Sequence, residues 1–399
     1  MSSPLKNLFG SIYASSRRIS VSNHGETMAT VDELVRQLES ENTKERRQAA
    51  IALGRLGDPK ALPALLNALD DETIRFSETI LDAIGHILDG TSPDDAENRK
   101  VFSRVADRLI QFVQRDDPEK AHVRIVAAEA LGKTRDPKAI PVLTEMLRED
   151  KPTPIAIAAA RALRHFDHPQ AIQALTKAAA NTNLLMDARV AAMLSLGDIG
   201  NPKAVDTLTR IVEDSSVEDP VRNEAALALG RIGDPKAIEP LIRTLENEWD
   251  STKVNLRTAI AEALGAFRDA RAIDALVATL ADDYYTAQAA AESLKYLRDE
   301  RAVEPLIRIV EDSDANTGHE RDFAVQILGV LGDPRAIPAL AKALRDDDED
   351  VREAARESLQ RFILTHPDAI LRTAPEDRHL LGRHIQDAQR DELAQELCK

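Results

Sequence analysis

Residues 220–247, PVRNEAALALGRIGDPKAIEPLIRTLEN, decide the fold, because most of the chain consists of imperfect copies of them. Ala225, Ala226, Ala228 and Leu229 recur at helical spacing in the first half. Ala237, Ile238, Leu241, Ile242 and Leu245 do so in the second. Between them, Gly233 is suited to the left-handed conformation that stops a helix. Asp234 can accept hydrogen bonds from the free amides of the next helix, and Pro235 fits its first turn. Gly-Asp-Pro thus compresses a helix stop and a helix start into three residues, and the unit is a hairpin of two antiparallel helices.

The junction recurs as GDPKA from Gly57, RDPKA from Arg135, FDHPQA from Phe166, GNPKA from Gly200, RDARA from Arg268, RDERA from Arg298 and GDPRA from Gly332. From Asp136 onward its Asp or Asn steps along by 31, 34, 33, 35, 30 and 34 residues, the signature of a repeat array. The step from Asp58 to Asp136 is 78 residues, which leaves room for one enlarged repeat near 72–118. A lone hairpin cannot bury its apolar stripe, so each repeat must be covered by the next.

The Ala-rich helix, the ALGxxGDPxAIxxL pattern and an Arg ahead of the Ala run (Arg124, Arg189, Arg222, Arg352) resemble HEAT repeats, in particular the short phycobilisome-lyase HEAT-like subclass. The resemblance spans roughly residues 40–362. It implies an all-α, right-handed α–α superhelix, an α-solenoid in which second helices line the concave face. In such families junction Asp and Arg residues form hydrogen-bonded ladders between repeats. The expected organisation is a Ser-rich extension over 1–28, a solenoid over 29–375 and a polar capping helix over 376–399. Thr30 to Ser40 reads as a capping half-repeat. In the enlarged repeat a polar loop from Gly90 replaces the tight junction, and a second helix resumes near Val101. That loop is either functional or a tolerated surface insertion.

Composition narrows the function. A net charge of -16 repels phosphate backbones, so no nucleic-acid partner is expected. The single Cys398 permits no intrachain disulfide, supplies no cysteine-ligated metal site and fits a reducing compartment, so the expected location is cytoplasmic. No apolar run is long enough to span a membrane. Residues 1–27 stand apart, with seven Ser, Lys6, Arg17, Arg18 and no acid before Glu26. Leu5, Leu8, Phe9 and Ile12 share one helical face, which suits a weak membrane contact or an organellar transit peptide; a disordered tail, or a true start at Met28, are the alternatives.

Three places hold candidate chemistry. Deoxyhypusine hydroxylase, built on similar repeats, uses paired His-Glu steps to hold a di-iron centre. This chain has one such step, His319-Glu320, and the remaining histidines are scattered, so neither a metal nor another cofactor is expected. The bilin lyases implied by the subclass name need stacking aromatics and an acid. Tyr284 and Tyr285 follow Asp282 and Asp283, the candidate chromophore acids, and Trp249 lies in the analogous loop one repeat earlier. Nine residues past each junction Asp or Asn come Asn67, Glu145, Thr176, Arg210, Arg243, Ala278, Arg308 and Lys342. Four cations there form a stripe on the second helices that suits a partner's carboxylates. The reading is a non-catalytic scaffold or assembly factor that holds a protein or peptide in its concave groove. Its contacts are Arg210, Arg243, Arg308, Lys342, Trp249, Tyr284 and Tyr285, because aromatics and arginine dominate interface energy. The rival reading is a bilin lyase or chromophore chaperone.

Overall fold

The computed structural model describes residues 29–69, 74–92, 95–114, 121–248, 254–312 and 318–365. The extension over 1–28, Trp249, Cys398 and the capping helix over 376–399 lie outside them. The described residues form twenty α-helices and no strand. α1 (Val31–Gln37) stands alone as the half-repeat, closed by a capping box in which Thr30 and Glu33 satisfy each other's backbone amides. Nine hairpins follow. Their first helices are α2 (Thr43–Leu56), α4 (Ile74–Gly90), α6 (Ala121–Lys133), α8 (Thr153–Leu163), α10 (Met186–Ile199), α12 (Asp219–Ile232), α14 (Val254–Ala266), α16 (Tyr284–Leu297) and α18 (Gly318–Leu331). Their second helices are α3 (Leu62–Ala68), α5 (Ala96–Val113), α7 (Ala139–Met146), α9 (Pro169–Ala180), α11 (Val205–Glu213), α13 (Ile238–Asn247), α15 (Ile273–Ala278), α17 (Val303–Glu311) and α19 (Ile337–Ala343). A last first helix, α20 (Glu349–Thr365), closes the described array.

The junction chemistry is as the sequence dictates. Gly57, Gly200, Gly233 and Gly332 adopt φ between 69° and 72°, and where the glycine is missing Arg135, Arg268 and Arg298 take the left-handed conformation themselves. Asp234 accepts the backbone amide of Lys236 at 2.9 Å and so starts a 3-10 turn, Pro235–Ala237, that leads into α13. Replacing Asp234 with alanine is expected to cost about 1 kcal/mol. Urea unfolding measures it, and no loss would remove the capping role.

The enlarged repeat departs from expectation. Its added length enters the helices: α4 has 17 residues and α5 has 18, and α5 starts at Ala96, five residues ahead of Val101. Ala96, Glu97, Arg99 and Lys100 are good helix formers, so the helix begins ahead of Val101.

One continuous apolar core runs between the two rows of helices. The rows are unequal. Neighbouring first helices run in close backbone contact, because Ala and Gly face each other across the gap. A Cβ added to Gly230 would lie 2.9 Å from Ala263 Cα, and one added to Gly132 would lie 2.7 Å from Ala162 Cα. Neighbouring second helices stand farther apart. Helix spacing follows the size of the residues at the contact, so an array with its closer spacing on one row bends toward that row. The concave face is therefore made by the first helices, which corrects the expectation that the second helices line it.

Candidate functional site

An arginine ladder holds the repeats together. Arg222, fully buried in the first turn of α12, donates from Nε to the carbonyl of Val212 at the end of α11 (2.8 Å) and from its guanidinium to Glu248 beyond α13 (2.6 Å). It thereby joins three successive helices. Arg189 bonds the Ala179 carbonyl (3.2 Å) and Glu218 (3.0 Å) in the same way. Arg257 bonds the Leu245 carbonyl and Asp282, and Arg321 pairs with Asp346 at 2.9 Å. The expected ladder exists, but its acids come from the loops between repeats, while the junction Asp residues bind their own 3-10 turns. Arg257 and Arg321 were missed, although each stands eleven residues before its junction Arg268 or Gly332, as Arg222 does before Gly233.

The two candidate chromophore acids are engaged in this framework. Asp282, with a side chain 5% exposed, is the partner of Arg257. Burial pushes its carboxyl up, and the guanidinium pulls it back. Asp283 caps α16, accepting from the amide of Tyr285 (3.0 Å) and the hydroxyl of Thr286 (2.6 Å). Tyr284 and Tyr285 do come together, with ring centroids 5.9 Å apart, and both stay exposed. Tyr284 also meets Phe323 (5.7 Å) and His319 (6.2 Å) of the next repeat. The Nε2 of His319 donates to the Asp282 carbonyl (3.0 Å), so this imidazole fastens one repeat to the next. Burial pushes the neighbouring Glu320 up. Among the described residues no group of three or more His, Cys, Asp or Glu is placed to hold a metal ion, and no helix is long and apolar enough to cross a membrane.

The cation stripe lies on the second helices and therefore on the outer row. Arg243 pairs with Glu213 of the preceding second helix (2.8 Å), and Lys342 pairs with Glu311 (2.9 Å). Arg210 bonds within its own helix, to the Asp206 carbonyl and Thr207. The register explains the difference, since the residue that would face Arg210 is Ala180 and the one that would face Arg308 is Ala281. Further outer-row pairs join Arg335 to Glu304 (3.4 Å) and Lys138 to Asp107 (3.0 Å).

The exposed apolar residues lie on the other row. Ile51, Leu56, Met186, Leu194, Tyr284, Tyr285 and Tyr296 all belong to first helices, and Leu185 immediately precedes one. Ile51 and Leu194 each sit five residues past the ladder position, Arg46 and Arg189, so they point the same way from the array. Tyr296 is 56% exposed and carries the guanidinium of Arg268 4.5 Å above its ring.

One titration marks the turn that follows α8. Burial, with Arg164 adding to it, lowers the His165 pKa from 6.5 to about 4. The unfolded chain binds a proton first as pH falls, so stability present above 6.5 declines through this window and is gone below about 4. His165→Gln is expected to flatten the acid limb of the unfolding curve between those values, and an unchanged limb would acquit His165.

These features define an α-solenoid of stacked helical hairpins. The HEAT-repeat family model matches residues 31–98, 97–164, 149–219, 186–253, 218–295 and 281–360, and the chain belongs to that family. Among solved structures it is similar to importin beta, at 15% identity and a TM-score of 0.53, covering 92% of this chain and 56% of that one. It is also similar to Kap95p, at 14% identity and a TM-score of 0.59, covering 90% and 55%. The chain thus spans little more than half of these karyopherins. The CpcE and CpcF phycocyanin lyase of Nostoc sp. PCC7120 matches at 22% identity over 70% of this chain and 94% of that one, with a TM-score of 0.31. No curated protein sequence matches the chain.

Proposed function

We propose that this protein is a non-catalytic scaffold that holds a protein or peptide partner along its first-helix face. The observation that carries the reading is the division of the surface. Among the described residues every exposed large apolar side chain belongs to or adjoins a first helix, whereas the second helices expose none. Aromatics with a polar handle, set on rigid helices, suit a protein interface. The similar karyopherins are described with protein partners, RanGDP and Nup1 for Kap95p, which is in keeping with the fold's use. In this reading Ile51, Leu194, Tyr284, Tyr285 and Tyr296 are the anchors. Arg308, with no ion pair among the described residues, and Arg210 offer additional cations on the outer row for a partner that wraps around it.

The test is affinity capture followed by rebinding of the purified partner. The Tyr284→Ala/Tyr285→Ala/Tyr296→Ala variant is expected to weaken binding by about tenfold or more. Charge reversal at Arg243 and Lys342 is expected to leave it within about twofold, as for exposed pairs of little energetic weight. The opposite pattern would move the interface to the outer row and overturn this assignment.

A further inference from the structure

We infer that the array has a built-in joint at the seam between α16 and α18. Two features recur in the first helices. One is the ladder arginine, and the other, eight residues later, is a glycine that lets the next helix approach: Arg46 and Gly54, Arg124 and Gly132, Arg189 and Gly197, Arg222 and Gly230, Arg257 and Gly265, Arg321 and Gly329. In α16 both are absent. Counting eleven residues back from its junction Arg298 reaches Ala287, and eight residues further on stands Lys295.

The consequences follow from size and charge. At Gly265 the helices are so close that an added Cβ would lie 3.0 Å from Ser293 Cα, and at Gly329 the distance to Ser358 Cα would be 3.1 Å. Between α16 and α18, by contrast, a whole lysine side chain is accommodated, its Nζ donating to Gln326 Oε1 at 2.9 Å and pairing with Glu292 at 3.2 Å. Lys295 also borders one end of a cleft of about 380 Å³ that lies mainly over α18 and α20, lined there by Asp322 and Gln326 of α18 and Glu353 and Glu357 of α20. Burial pushes the Asp322 carboxyl up even though Gln326 donates to both of its oxygens (2.9 Å). In place of an arginine rung, α16 and α18 are fastened at their N-terminal ends by the His319 bond to the Asp282 carbonyl and by the Tyr284 and Phe323 rings. Rings in contact can slide and a partly buried lysine held only by side chains can re-pair, whereas a buried guanidinium fixed to a backbone carbonyl cannot.

α8 also lacks both features, having Ala156 and Arg164 in their places, but there the loss is made good. Phe166 is buried, Asn201 donates to Asp167 across the seam at 2.8 Å, and Arg164 reaches Asp198 at 3.7 Å. The α16 and α18 backbones still approach each other less closely than those of α8 and α10, so the array bends there as two arms, α1 to α17 and α18 onward.

Paired spin labels on the full-length chain test this, with Cys398→Ser removing the native thiol. Glu292→Cys and Glu357→Cys span the seam, and Leu194→Cys and Glu262→Cys span an equal number of helices at the same register in the stiff part. Both pairs should centre near 20 Å, two helix spacings apart. The seam pair is expected to give a distance distribution about twofold wider, as for a hinge against a packed core. Lys295→Gly should narrow it toward the control, and adding Ala287→Arg should narrow it further. If Ala287→Arg does not fold, Lys295→Gly alone decides. Equal widths in the parent chain, or a seam width that Lys295→Gly leaves unchanged, would overturn the joint.

Discussion

Arg222→Ala is expected to destabilise the protein by about 3–5 kcal/mol, the range for breaking a buried ion pair from one side. The guanidinium is wholly enclosed, and its removal leaves the Val212 carbonyl and the Glu248 carboxylate, itself 19% exposed, without their donor. The damage should stay local at first, because each repeat contacts only its neighbours. Hydrogen exchange is expected to rise in α11 to α13 before it rises in α2 or α20. A second substitution separates charge from packing. Arg222→Met with Glu248→Leu removes both partners and is expected to recover at least half of the loss, since an apolar pair of similar volume often replaces a buried salt bridge without penalty. A loss below about 1 kcal/mol for Arg222→Ala would place the cohesion of the array elsewhere.

The second large effect concerns shape as well as stability. Gly230→Val puts branched carbon where only 2.9 Å separates the first added atom from Ala263 Cα, a backbone atom that cannot rotate away. α12 and α14 must part, at a cost of about 1–3 kcal/mol, and the inner row lengthens locally. The array should straighten, and small-angle scattering should report a larger radius of gyration. Gly233→Val serves as the comparison. Nothing lies within 4 Å of its added Cβ, but its φ of 72° disfavours any side chain. That variant should lose stability without changing the radius. Identical scattering from the two would mean that glycine spacing does not set the curvature.

The junctions were legible because their chemistry is local. An Asp that caps an amide two residues on, preceded by a Gly or Arg that turns left-handed, leaves a short, nearly constant pattern in most copies. The ladder's acids are not local in this sense. Glu218, Glu248, Asp282 and Asp346 lie 25 to 29 residues beyond their arginines, in loops of variable length, so no fixed motif records them. Asp282 therefore looked free to protonate a ligand when it is bound to Arg257. Which row faces inward was likewise hidden, because it depends on comparing two spacings that the one-dimensional pattern does not contain. Ile51, Leu194 and Tyr296 escaped notice for a similar reason: single apolar letters in Ala-rich helices read as core until the register shows them pointing outward.

The outer-row pairs give the molecule an uneven elasticity. Away from the α16–α18 seam, tightly packed small residues on the inner row hardly stretch, so changes of bend are shared with the outer row, where Arg243 meets Glu213, Arg335 meets Glu304 and Lys342 meets Glu311. Long charged side chains in water can pull apart and re-form at little cost. The assembly therefore resembles a leaf spring with one rigid leaf and one that yields, and added salt, which weakens exposed attractions first, should soften its flexing well before it melts a helix.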